Sequence, residues 1–114
     1  MTVQELISNL ALTVITGENF EQPVSGGYVS DLLSNVMGQA ASGSVWVTMQ
    51  GHQNVVAVSL LTGLAAVIIA GGVKPDEGAV NKAKAEGLIV LTTGLSAYEV
   101  VGQMYKLGIR GLNA

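Results

Sequence analysis

The 114-residue chain contains no cysteine. A disulfide framework, a thiolate nucleophile and a cysteine-ligated zinc are thereby excluded. Basic residues are also scarce. Lys74, Lys82, Lys84, Lys106 and Arg110 are the whole set, and they form no stripe able to neutralise a phosphate backbone, so nucleic acid is not an expected partner. One histidine, His52, is too few for a first-row metal, which usually takes three or four protein ligands, and no cofactor is expected. Charged residues make up 11% of the chain, against roughly 25% in an ordinary soluble domain, and apolar residues make up 49%. A surface so short of charge is expected to be covered in part by another subunit, as a homodimer or higher homo-oligomer.

The phosphate motifs are missing as well. There is no GxxxxGK[ST], and GGYVSD (Gly26 to Asp31) lacks the third glycine of a dinucleotide fingerprint. The opening residues hold no basic region followed by an apolar one, so a cytoplasmic protein is expected. The run Val55 to Val73 is uncharged and about as long as a membrane span. Ser59, Thr62, Gly63, Gly71 and Gly72 interrupt it, however, and divide it into a buried helix (Asn54 to Leu61) and a β-branched strand (Ala66 to Ala70).

What is present is a regular alternation. The length suits a single domain, residues 1–114. Thr2 and Glu5 form a capping-box pattern, which predicts a helix from Val3 to about Asn9; LTVIT (Leu12 to Thr16) then reads as a strand. Glycines and Pro23 punctuate the next stretch, leaving room for an irregular edge strand near Val24. From Asp31, the residues Leu32, Leu33, Val36, Met37 and Ala40 recur at helical spacing until Ser42 and Gly43. VWVTM, VIIAG and IVLTT then begin at residues 45, 67 and 89, a constant spacing of 22, each followed by a helix-type segment. Pro75 is expected in the first turn of the second of these helices, which closes at Gly87; Ser96 and Glu99 offer a capping box for the third, which closes at Gly108. Apolar strands joined by single helices imply an α/β fold with a largely parallel sheet flanked by helices.

In such a sheet, ligands bind beyond the carboxyl ends of the strands. The loops expected there are Gln50 to Asn54, Ala70 to Gly72 and Thr92 to Ser96. Their glycines permit close backbone approach, and free amides at helix starts favour an anion. A small anionic ligand would then meet Gly51, His52, Gln53, Asn54, Ala70, Gly71, Gly72, Thr93 and Ser96. Against this, glycine and a capping residue are what any tight strand-to-helix turn requires. His52 lacks a carboxylate placed beside it by sequence, so we read it as a contact residue bonding a carbonyl or a partner subunit, ahead of a ligand contact or an acid/base role. Tyr28, after two glycines, is an aromatic for stacking or an interface, or an anchor to the core. Lys82 and Lys84 read as a solvated face.

GGYVSDLLSNVM, VWVTMQGHQNVVAVSLL, VIIAGGVKPDEGAVNKAKAEGLIVL and LSAYEVV together resemble the DRTGG domain family over roughly Pro23 to Leu107, and more distantly the N-terminal domain of HPr kinase/phosphorylase. The family takes its name from an Asp-Arg pair after one strand and Thr-Gly-Gly after the next. Here those places are held by His52 and Gln53, and by Ala70, Gly71 and Gly72. The resemblance implies a small α/β regulatory or interaction module without established catalytic residues, of the kind found beside CBS domain pairs or within larger metabolic enzymes, where adenine-nucleotide sensing is associated with the CBS domains. Three functions follow as expectations: a non-catalytic homo-oligomeric regulatory domain, a binding module for a small anionic metabolite or adenine nucleotide, and, least favoured, an enzyme using His52 as acid or base.

Overall fold

The structure is a computed structural model and describes residues 1–111. In chain order the elements are α1 (Val3–Asn9), β1 (Thr13–Thr16), β2 (Gly26–Val29), α2 (Leu33–Gln39), β3 (Ser44–Thr48), α3 (Gln53–Thr62), β4 (Ala66–Ile69), α4 (Glu77–Glu86), β5 (Val90–Thr92) and α5 (Ala97–Lys106). The sheet order is β1-β5-β4-β3-β2, with every pair parallel except β1 against β5. This is the largely parallel, helix-flanked α/β sheet that the strand periodicity predicts.

Side chains alternate across the sheet because the strand period is two. Val45, Val47, Ile68 and Leu91 face α1 and α5, packing against Val3, Leu6, Val100 and Met104. Trp46, Val67, Ile69 and Val90 face the other way, against Val36 of α2, Val55 and Val58 of α3, and Ala79 and Ala83 of α4. Strands apolar on both faces therefore sit between two helical layers. Every buried side-chain nitrogen or oxygen among the described residues has a hydrogen-bond partner. Among those residues, no helix is long and apolar enough to cross a membrane.

Several boundaries differ from the sequence reading. The edge strand is not irregular and lies beyond Val24: Gly26 to Val29 pairs in register with Ser44 to Val47. The α2 helix starts at Leu33, two residues after Asp31, because Asp31 is engaged elsewhere. Pro75 precedes the N-cap Asp76 and so lies outside the first turn of α4. At α5 only half of the expected box forms: Ser96 Oγ accepts from the Glu99 amide at 3.2 Å, with no reciprocal bond from the glutamate. The N-terminal box is complete, with Thr2 Oγ1 accepting from the Glu5 amide and Glu5 Oε1 accepting from the Thr2 amide.

Candidate functional site

The four parallel strands end on one edge, and the turn after each is bonded to the turn after the next. Beyond β2, Asp31 Oδ1 accepts from Thr48 Oγ1 at 2.7 Å and from the Met49 amide at 2.8 Å, while Gln50 Nε2 donates to the Asp31 carbonyl. The turn after β3 reaches the turn after β4 through the Gly51 carbonyl, which accepts from the Asp76 amide at 2.8 Å. The turn after β4 reaches that after β5 twice, from the Gly71 amide to the Leu95 carbonyl (2.7 Å) and from the Gly72 amide to the Thr93 carbonyl (3.0 Å). The result is a continuous rim of hydrogen bonds across the carboxyl edge.

His52, Gly71, Gly72, Thr93 and Ser96 thus lie on one edge, but each has a polar group bonded within the chain. His52 is the N-cap of α3: its Nδ1 accepts from the Asn54 amide at 3.0 Å, leaving the ring proton on Nε2. The expected bond to a neighbouring carbonyl is replaced by this cap, because the ring follows a strand end and stands before the free amides of a helix. Gln53 and Asn54 belong to the first turn of α3, not to a loop. Thr93 Oγ1 accepts from the Leu95 amide at 3.1 Å, and Ala70 is fully buried. Gly51 is glycine for an internal reason: a Cβ there would lie 2.9 Å from Pro75 Cα and closer still to the Lys74 carbonyl. Close backbone approach occurs, but to the chain itself and not to a ligand.

Tyr28 sits within β2 and not on a turn. It is half-buried, and its hydroxyl donates to Asn35 Oδ1 at 2.6 Å, tying the edge strand to α2. Lys84 is exposed as expected, whereas Lys82 is half-buried. Asp31 and Thr48 are absent from the residues the sequence reading assigns to this edge, and Gln50 enters it only as a loop position. The Ser30-Asp31 pair after a strand was the available signal, since such residues fold back on nearby amides.

No family model matches the chain, and no curated protein matches it. Among solved structures it is similar to the CBS and DRTGG domains of the regulatory region of Clostridium perfringens pyrophosphatase, crystallised with the activator diadenosine tetraphosphate. The TM-score is 0.74 at 13% identity, covering 98% of this chain and 51% of that one. The fold is DRTGG-like. The present chain spans about half the length of that neighbour.

In this DRTGG-like fold the two turns that the sequence resemblance singles out have structural tasks within the chain. His52, the residue that the sequence resemblance sets at the Asp-Arg place, caps helix α3, a task that aspartate also performs. Gly71 and Gly72 both have φ of +74°, a left-handed pair that residues with a Cβ adopt only with strain, and this turn directs their amides at the β5 turn. The helices after β4 and β5 lie on opposite faces of the sheet, the arrangement that leaves a ligand crevice in doubly wound folds. Here those two amide bonds bridge it. A cleft of about 430 Å³ lies on the β1 side, lined by Thr13, Gly72, Lys74, Thr92, Thr93 and Gly94 among others.

The cap gives a first expected outcome. His52→Ala will lower stability by about 1 kcal/mol, a fall in Tm of roughly 4 °C, whereas His52→Ser will stay within a few tenths because its hydroxyl caps the same amide. Thermal unfolding followed by circular dichroism distinguishes this from a passive loop residue, for which both variants would melt as wild type does.

Proposed function

We propose that the chain is a non-catalytic regulatory or interaction domain that acts in the cytoplasm as a homo-oligomer, accessory to a metabolic enzyme or regulatory system. The observation that carries this reading is the self-satisfied carboxyl edge. The groups best suited to hold an anion or run proton transfer there, the amides of Gly71 and Gly72 and Nδ1 of His52, are committed to bonds within the chain. The surface suits association. Leu32, Met37, Leu61, Tyr98 and Tyr105 are all more than half exposed, in a chain with few charges. The similarity to a regulatory region supports the same reading.

A second reading, a binding module for a small anionic metabolite or adenine nucleotide, is supported by the 430 Å³ cleft, where Lys74 supplies a positive charge beside three threonines. The structural neighbour's complex with diadenosine tetraphosphate points to the same ligand class. One pair of measurements separates the readings. Light scattering at tens of micromolar protein is expected to give a dimer or larger mass, and a single monomeric mass would end the first reading. Thermal shift with diadenosine tetraphosphate, ATP or inorganic phosphate is expected to be flat under the first reading. Under the second, a ligand at 100 times its dissociation constant adds about 2.7 kcal/mol, and Lys74→Ala removes the gain.

A further inference from the structure

We infer that the outward face of α5 is the self-association surface, meeting the same helix of a second copy in antiparallel fashion about a two-fold axis at Gly102. The inference rests on the homo-oligomer reading above and names its interface. The inner side of α5 is spent on the core: Val100 and Met104 are buried against the sheet. At 3.6 residues per turn, Gly102 lies on the opposite side of the helix, at its outermost point. Tyr98 and Tyr105 flank it on one side, 85% and 57% exposed. Glu99 and Lys106, two turns apart and both exposed, flank it on the other.

This arrangement is complementary to itself. Turning a second copy end for end about Gly102 sets Tyr98 opposite Tyr105 of that copy and Glu99 opposite its Lys106, each pair occurring twice, as an isologous interface requires. The aromatic rings supply rigid apolar contact, and the charge pairs fix direction and register. Gly102 itself lacks a reason inside the monomer. Glycine is the poorest helix former after proline, yet it stands in the middle of a ten-residue helix where a Cβ would have nothing within 4 Å. Removing the side chain at a helix crossing allows two backbones to approach closely, which gives the residue a use. Gly38 is equally open but sits next to the last residue of α2, where glycine disturbs little, and Gly78 of α4 has Gln53 at 3.2 Å from its Cβ position.

Neighbouring features agree with this surface. Arg110 stacks 4.0 Å from the Tyr105 ring centroid, holding that ring in place before a partner arrives. Beside it runs an apolar groove of about 260 Å³ lined by Val29, Val47, Val101, Met104 and Tyr105, which continues the contact area onto the sheet. The sheet edges are poorer places to associate. β1 carries a register irregularity between Val14 and Thr16, and Gly27 of β2 donates its amide to the Arg110 carbonyl at 2.9 Å.

Because the chain has no cysteine, a single introduced thiol reports the axis directly. Gly102→Cys is expected to form a disulfide-linked dimer under mild oxidation, and Leu61→Cys, exposed on α3 on the other face of the sheet, is expected not to. Glu99→Lys places like charges opposite each other twice, and should raise the dimer dissociation constant by about tenfold at low salt. Adding Lys106→Glu to it recreates both pairs with reversed sign and should restore assembly. A dimer that Gly102→Cys fails to cross-link and Glu99→Lys fails to weaken would overturn the α5 interface while leaving the homo-oligomer reading intact. A monomeric wild-type protein would overturn both.

Discussion

Alanine at position 51 will destabilise the protein by about 3 kcal/mol, lowering Tm by roughly 12 °C, although the change adds only a methyl group to a half-buried turn. The added Cβ meets three backbone atoms of the Lys74–Pro75 peptide: the Lys74 carbonyl oxygen, Pro75 Cα at 2.9 Å and Lys74 carbonyl carbon at 3.1 Å. Backbone atoms cannot rotate away as a side chain does, so relief requires the turns after β3 and β4 to separate. Separation breaks the Asp76 amide to Gly51 carbonyl bond and shifts the start of α4. Gly72→Ala is the informative comparison. Its Cβ meets nothing within 4 Å, so only its left-handed φ is penalised, at about 1–2 kcal/mol. Urea unfolding of the two variants tests this order. If Gly51→Ala proves as mild as Gly72→Ala, the two turns are not in van der Waals contact in solution, and the rigid rim is wrong.

The difference between those glycines shows how far the sequence could be read. Both sit in strand-to-helix turns and look alike in the sequence, because φ and close approach depend on what another segment does. Elements whose causes are local were legible. The Thr2 and Glu5 box starts α1, Gly63 and Gly87 end α3 and α4 in left-handed caps, and the strands near residues 45, 67 and 89 carry their own apolar signal. The edge strand β2 was misplaced because Gly26-Gly27 reads as a turn. Its extended form is set by pairing with β3, and by the Arg110 carbonyl bonded to Gly27 from 83 positions away. The candidate site was legible as a place but not as a chemistry. Its residues do share an edge, yet whether an amide is free or committed depends on partners in the next turn, such as the Leu95 carbonyl that accepts from the Gly71 amide, which spacing within one loop does not reveal.

Trp46 governs the other end of that rim, and replacing it with alanine is expected to cost about 4 kcal/mol, the largest effect of any single substitution proposed for this chain. It is completely buried in the middle of β3, facing the layer of α2, α3 and α4, so truncation leaves a cavity among Val36, Val55 and Val67 that a sheet fixed on both sides cannot close. It is also a donor. Nε1 bonds the Ser30 carbonyl at 2.8 Å, and Ser30 leads into Asp31, whose carboxylate holds Thr48 and Met49. Trp46→Phe separates the two contributions. Phenylalanine fills much of the ring volume but donates nothing, so it should cost about 2 kcal/mol and leave the Ser30 carbonyl without its partner. The loss should also be local: the Met49 amide, bonded to Asp31, is expected to exchange with solvent faster in Trp46→Phe, while the amides of α5 on the opposite face keep their protection relative to global stability. Since Trp46 is the chain's one tryptophan, unfolding of both variants is followed by circular dichroism instead of emission. Uniformly faster exchange in both helical layers would mean that Trp46 supports the core alone and that the turn after β2 is held without it.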